Sequence, residues 1–99
     1  MGFGGTWKIE IPTPIGTQLV ELVIIDTPSG LSGTATSAAE TAPFIDPEVE
    51  GDRITWVQHV TRPMRLTIRF ELKRMGDSLE GTAKAGLFPA AKVSGRRIA

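Results

Sequence analysis

Ninety-nine residues, 40% of them apolar, suit one domain with one small core, residues 1–99. Eleven basic and eleven acidic residues give a formal net charge of zero. That sum speaks against electrostatic capture of nucleic acid or of an anionic membrane, which needs a basic excess on one face. Cysteine is absent, so disulfides, thiolate nucleophiles and thiolate metal sites are excluded.

No window of about 18 apolar residues supplies a membrane-spanning helix, so neither membrane insertion nor nucleic-acid binding is expected. Asn and Tyr are missing as well, which removes N-glycosylation and tyrosine chemistry. Met1 to Gly5 is glycine-rich and lacks the basic and apolar regions of a signal peptide. A cytoplasmic protein and a processed exported one both fit that start.

Alternation of apolar and polar residues is the dominant period along the chain, and no helix is expected. Trp7, Ile9 and Ile11 share one face of a first strand, opposite Lys8 and Glu10. Pro12, Pro14 and Gly16 then turn the chain. Gln18 to Asp26 reads as a longer strand with Val20, Leu22 and Ile24 on one face. Its other face carries Leu19, Glu21, Val23 and Ile25, so it is apolar nearly all round. After the Thr27-Pro28-Ser29-Gly30 turn comes a light strand, Leu31 to Ser37, with Leu31, Gly33 and Ala35 aligned.

Ala38 to Glu50 holds two prolines and four acidic residues and reads as a long connection with a short strand near Phe44. Ile54, Trp56, Gln58 and Val60 share one face of the next strand, opposite Thr55, Val57 and His59. Thr61-Arg62-Pro63 turns into the clearest signal in the chain. Met64, Leu66, Ile68, Phe70 and Leu72 alternate with Arg65, Thr67, Arg69 and Glu71, the pattern of a half-buried antiparallel strand.

The turn at Met75 to Ser78 leads into Leu79, Gly81, Ala83 and Ala85, and Gly86 and Pro89 break the pattern before Val93, Gly95 and Arg97. Short turns impose antiparallel pairing of neighbours, and about eight strands can close into a barrel that has no exposed edge. The expected fold is therefore all-β, an antiparallel up-and-down barrel of about eight strands. Gly30 to Ala35 also matches Ser78 to Ala83 as a weak repeat, which two similar hairpin exits explain as well as a duplication does. Glycine at Gly33 and Gly81 lets a wall bend or a bulky group approach the backbone.

Gly5-Thr6-Trp7, Leu31-Ser32-Gly33-Thr34 and Gly95 with Arg97 resemble the calycin-like group of small barrels, in lipocalin or avidin style. Thr13-Pro14-Ile15-Gly16, Gly51-Asp52-Arg53-Ile54 and Gly76-Asp77-Ser78-Leu79-Glu80-Gly81-Thr82 bring the chain closer to an uncharacterised bacterial lipocalin-like domain. The resemblance spans nearly the whole chain, and most of its motifs are turn chemistry. It implies that Trp7 plugs the barrel floor with the Arg97 guanidinium lying across the indole. It also implies an internal cavity for a small, mainly apolar ligand, and no cofactor. Arg96 points the opposite way by alternation, and a one-residue slip would exchange it with Arg97. Avidin-type biotin recognition uses Asn, Tyr and several Trp; with only Trp7 and Trp56 present, biotin is not expected.

Trp56 and Gln58 on one inner face suit an apolar pocket with a single orienting amide, and equally suit plain core with a glutamine at the mouth. Val20, Leu22, Leu66, Ile68 and Phe70 complete the expected ligand-binding lining. His59, the only histidine, falls on the opposite parity; it reads as a surface residue, or as a proton shuttle. One histidine without spaced carboxylates makes a metal site unexpected. Glu40, Asp46, Glu48 and Glu50 read as a solvated loop; folded over the mouth, that loop would make Glu40 or Asp46 the best general base.

Three functions follow as expectations. The first is a barrel binding a small apolar molecule. The second is a cofactor-independent isomerase, cyclase or lyase working by proton transfer in the same pocket, with Glu40, Asp46, Gln58 and His59 as its residues. The third is a homodimeric interaction module held through the outer face of Leu19, Val23 and Ile25, with Val57 facing outward on another strand.

Overall fold

Strict two-residue alternation over most of the chain can bury its apolar half only by wrapping the sheet around that half. The computed structural model shows this, and it describes residues 2–13, 16–38, 40–61 and 65–99. Nine strands form: β1 (Gly5–Thr13), β2 (Gly16–Thr27), β3 (Gly30–Thr36), β4 (Thr41–Pro43), β5 (Ile45–Glu50), β6 (Arg53–Val60), β7 (Leu66–Met75), β8 (Ser78–Ala85) and β9 (Ala91–Arg97). Their order round the wall is β4-β3-β2-β1-β9-β8-β7-β6-β5, antiparallel throughout, and no helix is found among the described residues. The result is an up-and-down, nearly closed barrel. Pro14, Ile15, Arg62, Pro63 and Met64, placed by sequence in turns or at a strand start, lie outside the described residues.

The ninth strand comes from the stretch that sequence reads as a connection. Residues 41–50 are one extended segment that changes partner at Phe44. Before it, Ala42 pairs with Ala35 of β3; after it, Ile45 pairs with Val57 of β6. Phe44 itself donates its backbone N–H to the Gly33 carbonyl at 2.9 Å. A single bent strand therefore serves both edges of the sheet, and in doing so nearly closes the barrel. Prolines 43 and 47 obscure it in sequence, because proline normally argues against a strand that pairs on both sides.

The bend needs one surplus residue. Between Ile45↔Val57 and Glu48↔Thr55 the register slips, and Asp46 occupies that bulge with φ at 49°. Aspartate is among the few non-glycine residues that enter this region readily.

Glycines 33 and 81 use their missing side chain in two ways. A Cβ on Gly33 would lie 2.6 Å from Cε2 of Phe44, so the ring occupies the space that a side chain would take. A Cβ on Gly81 would meet the β7 backbone at Glu71 and Leu72. There two strands approach more closely than any side chain permits.

At the floor, two hairpin turns repeat one device. Gly51 and Gly76 have φ near 62° and 61°, and each is followed by an aspartate in a tight turn. Asp52 then accepts the backbone N–H of Arg74 at 2.7 Å, and its carboxylate lies 3.4 Å from the same guanidinium. Asp77 accepts the N–H of Arg97 at 2.8 Å, and its carboxylate takes the Nε of Arg97 at 2.9 Å. The two arginines, so held, cover two aromatics: Arg74 lies 5.8 Å from the Phe3 ring centre and Arg97 lies 4.3 Å from that of Trp7.

The N-terminal segment completes the plug. Trp7 Nε1 donates to the Phe3 carbonyl at 2.7 Å, and Arg97 donates to the carbonyls of Gly2 and Gly4. Phe3 and Trp7 are fully buried. Arg97 pairs directly with Trp7 across β9 and β1, whereas Arg96 faces solvent opposite Lys8.

Arg97→Lys keeps the charge but loses the planar fork, and it should lower stability by about 2 kcal/mol. Arg96→Lys should stay within about 0.5 kcal/mol, because the side chain is exposed. Urea unfolding of both variants provides the check; equal midpoints would mean that the guanidinium does not hold the floor.

Candidate functional site

Inward-facing residues differ between the two ends of the barrel. Near the floor, where β6 and β8 start and β7 ends, stand Ile54, Leu79 and Leu72, all fully buried beside Trp7. Towards the mouth, where β3 and β8 end and β4 and β9 begin, the inner positions are Ala35, Ala83, Ala85, Ala42 and Ala91. Large side chains fill the floor half; in the mouth half these alanines alternate with larger inward residues such as Ile11, Val20, Leu66 and Ile68.

Between these halves stand three stacked rings. Trp56 lies between Phe44, at 4.1 Å and 12°, and Phe70, at 4.6 Å and 8°. Phe70 faces Trp56 as its cross-strand partner on β7. Phe44 reaches the stack because residues 41–50 cross from β3 to β6 at that point, where Gly33 leaves it room. Near-parallel rings at this separation cover one another's faces, so the three rings form one continuous apolar wall segment.

Gln58 sits two residues along β6 from Trp56, on the same inner face and nearer the mouth. It is 6% exposed and is the one buried polar side chain among the described residues. Its Oε1 accepts the indole N–H of Trp56 at 3.1 Å, while its NH2 donates to no described group. Among the described residues Arg74 Nε is the only fully buried side-chain nitrogen or oxygen that lacks a partner. The amide nitrogen of Gln58 therefore keeps access to solvent at the mouth end of β6. An apolar wall with one free amide donor above it can orient a hydrogen-bond acceptor on an otherwise apolar molecule.

The remaining residues of the expected lining take graded positions. Val20, Leu22 and Phe70 are buried with Trp56 in one cluster, and Ile68 packs against it, half-buried beside Gln58 across β6 and β7. Leu66 is half-buried at the start of β7, at the mouth. These seven residues therefore share one interior.

The structure does not gather the titratable candidates there. His59 is exposed on the outer face of β6, with Nδ1 3.1 Å from Thr67 Oγ1. Asp46 is exposed at the β5 bulge. Glu40 lies between β3 and β4, where its carboxylate accepts the N–H of Thr61 at 2.6 Å and the Thr61 hydroxyl at 3.1 Å. It ties two mouth loops together. Glu48 and Glu50 are exposed on β5, in a strand rather than a loop. Among the described residues no group of three or more His, Asp or Glu is placed to hold a metal ion.

Sequence reasoning missed Phe3, Arg74, Asp52 and Asp77 at the floor, and Phe44 in the aromatic wall. The Gly-Asp turns were visible, but the arginine that each clamps lies 22 or 20 residues further on and is fixed only by the hairpin register. No protein family, no curated protein and no solved structure matches the chain. The architecture is compatible with a lipocalin-like barrel, and that compatibility rests on the fold alone.

Gln58→Leu keeps the volume but leaves the Trp56 N–H without a partner in an apolar interior, a loss of about 1–3 kcal/mol. Thermal unfolding should show a lower midpoint, and Trp56 emission should shift as its hydrogen bond disappears. An unchanged melt and spectrum would remove Gln58 from the site.

Proposed function

We propose that this protein is a lipocalin-like barrel that binds a small, flat, mainly apolar molecule in the mouth half of its interior. The observation that carries the reading is the free NH2 of the buried Gln58 above the Phe44–Trp56–Phe70 wall. A carbonyl or similar acceptor on the ligand satisfies that donor, and the rings and alanine methyls cover the rest of the molecule. The filled floor half limits the ligand to about one or two rings, in keeping with the narrow interior of a barrel of this size.

Proton-transfer chemistry draws no support from the geometry, because Glu40, Asp46 and His59 are held outside the wall that contains Gln58. Native mass spectrometry of freshly purified protein tests the binding reading. A mass excess of a few hundred daltons is expected, lost in Ala91→Leu, which fills the mouth without touching Gln58. A bare mass, with Trp fluorescence unchanged across a panel of bicyclic carbonyl compounds, would rule the reading out.

A second reading rests on the outer wall. Leu19, Val23 and Ile25 stand exposed in a row on β2, flanked by Thr6 on β1 and by Ser32 and Thr34 on β3. Val57 is half-buried on β6, well away from that row. Glu21, exposed between Leu19 and Val23 and opposite Lys8, interrupts the row, and its three apolar side chains suit pairing with a second copy about a two-fold axis. In sedimentation experiments the parent protein should run as a dimer and Val23→Lys as a monomer; equal masses for the two would remove this reading.

A further inference from the structure

The net charge of zero is a sum, and the wall does not share it evenly. The three ion pairs among the described residues, Arg53–Glu71, Arg74–Asp52 and Arg97–Asp77, each involve a residue of the floor end: Arg53 opens β6, and Asp52 and Asp77 lie in the floor turns. Towards the mouth, Arg65 stands just ahead of β7, the outer faces of β7, β8 and β9 carry Arg69, Lys84 and Lys92, and none of the four makes an ion pair among the described residues.

Their cross-strand neighbours sharpen the imbalance. Arg69 is the direct partner of Lys84, with Val57 on its other side, and Lys92 faces Thr82. Like charges placed directly opposite are destabilising unless something supplies counter-charge. The nearest carboxylate along β7, Glu71, is committed to Arg53.

The same end of the barrel carries the most exposed large apolar side chain among the described residues, Leu87. In the β8–β9 turn, Leu87 is 103% exposed and Phe88 is 53% exposed, between Gly86 and Pro89 in a run without charge. The turn is ordered. Phe88 donates its N–H to the Ala85 carbonyl at 3.0 Å, and Lys84 Nζ donates to the carbonyls of Gly86 and Phe88. One of the unpaired cations therefore braces the loop that lifts Leu87 into solvent. A fully exposed leucine contributes nothing to the core, so its presentation on a braced turn is not a requirement of folding.

We propose that this corner, the β8–β9 turn together with Arg65, Arg69, Lys84 and Lys92, docks the protein on an anionic lipid bilayer. Leu87 and Phe88 enter the headgroup region while the four cations meet lipid phosphates and carboxylates. An apolar tip beside a basic face is the combination that interfacial binding rewards, and each contribution alone is weak. An aliphatic tip has no role against a phosphodiester backbone, which favours lipid over nucleic acid. Docking places the open mouth of the barrel at the membrane surface, and it holds whether or not the interior binds a small molecule.

Vesicle flotation with the full chain tests this. The protein should float with phosphatidylserine-containing vesicles and remain behind with pure phosphatidylcholine, and added salt should release it. Leu87→Ser combined with Phe88→Ser should weaken binding about tenfold or more, as should Arg69→Gln combined with Lys92→Gln, with melting unchanged in both because all four sites are exposed. Equal flotation with neutral and anionic vesicles, no flotation at all, or binding indifferent to the turn substitutions would each overturn the proposal. Retention on a DNA duplex that survives loss of Leu87 and Phe88 would assign the cations to nucleic acid and overturn it too.

Discussion

The stacking of Arg97 on Trp7 organises the rest of the molecule. It closes one end of the barrel with a cation that is simultaneously hydrogen-bonded to a turn aspartate and to two carbonyls of the N-terminal segment. A guanidinium suits this role because its planar fork satisfies several acceptors while its face covers a ring. Arg74 repeats the arrangement over Phe3, using the preceding Gly-Asp turn. The repetition has a geometric origin. In each case an aspartate at the end of one hairpin meets the arginine of a neighbouring strand because antiparallel pairing brings the turn and that strand to the same height. A floor built this way is polar at its rim and aromatic within, so water is excluded without leaving the charges unmet. Arg74 Nε is the exception, the one group there that finds no acceptor.

Large residues crowd the half next to the floor, and five alanines stand among the inward residues of the opposite half. Between them the triple ring stack depends on closure of the wall. Phe44 reaches Trp56 only because residues 41–50 cross from β3 to β6, and that crossing needs Gly33 to make room and the Asp46 bulge to absorb the surplus residue. Closure of the sheet and construction of the aromatic wall are therefore one event. A change that straightened the bend at Phe44 would open the barrel and dismantle the wall together.

Much of this was legible in the sequence wherever two-residue alternation was clean. Leu66 to Leu72 announces its buried face directly, and the Trp7 and Arg97 positions follow once the fold is assumed, since both fall on inward parity. Residues 38–50 failed because two prolines and four acids carry the signature of a loop, while their strand character comes from tertiary closure that no local pattern records. Phe3 was invisible for the reverse reason. It stands among glycines with no periodicity, and it is buried only because Arg74 and Trp7 are there to cover it. Leu87 and Phe88 sit in a segment correctly read as a break, but exposure of apolar groups in a turn is a property of the folded surface. Net charge likewise conceals segregation, because register decides which charges become neighbours.

That segregation gives the two ends opposite characters. At the floor, aspartates are spent on arginines, and the resulting pairs are short, local and part of the architecture. At the mouth, Arg69 stands directly opposite Lys84, and the Glu40 carboxylate is engaged with Thr61 in bracing the loops. The interior follows the same logic. Among the described residues its one buried polar side chain is the Gln58 amide, which brings no charge into an apolar space, where a carboxylate would require a partner. Among the described residues, ionisable groups are thus kept out of the apolar interior and placed at its seal and on its outer wall.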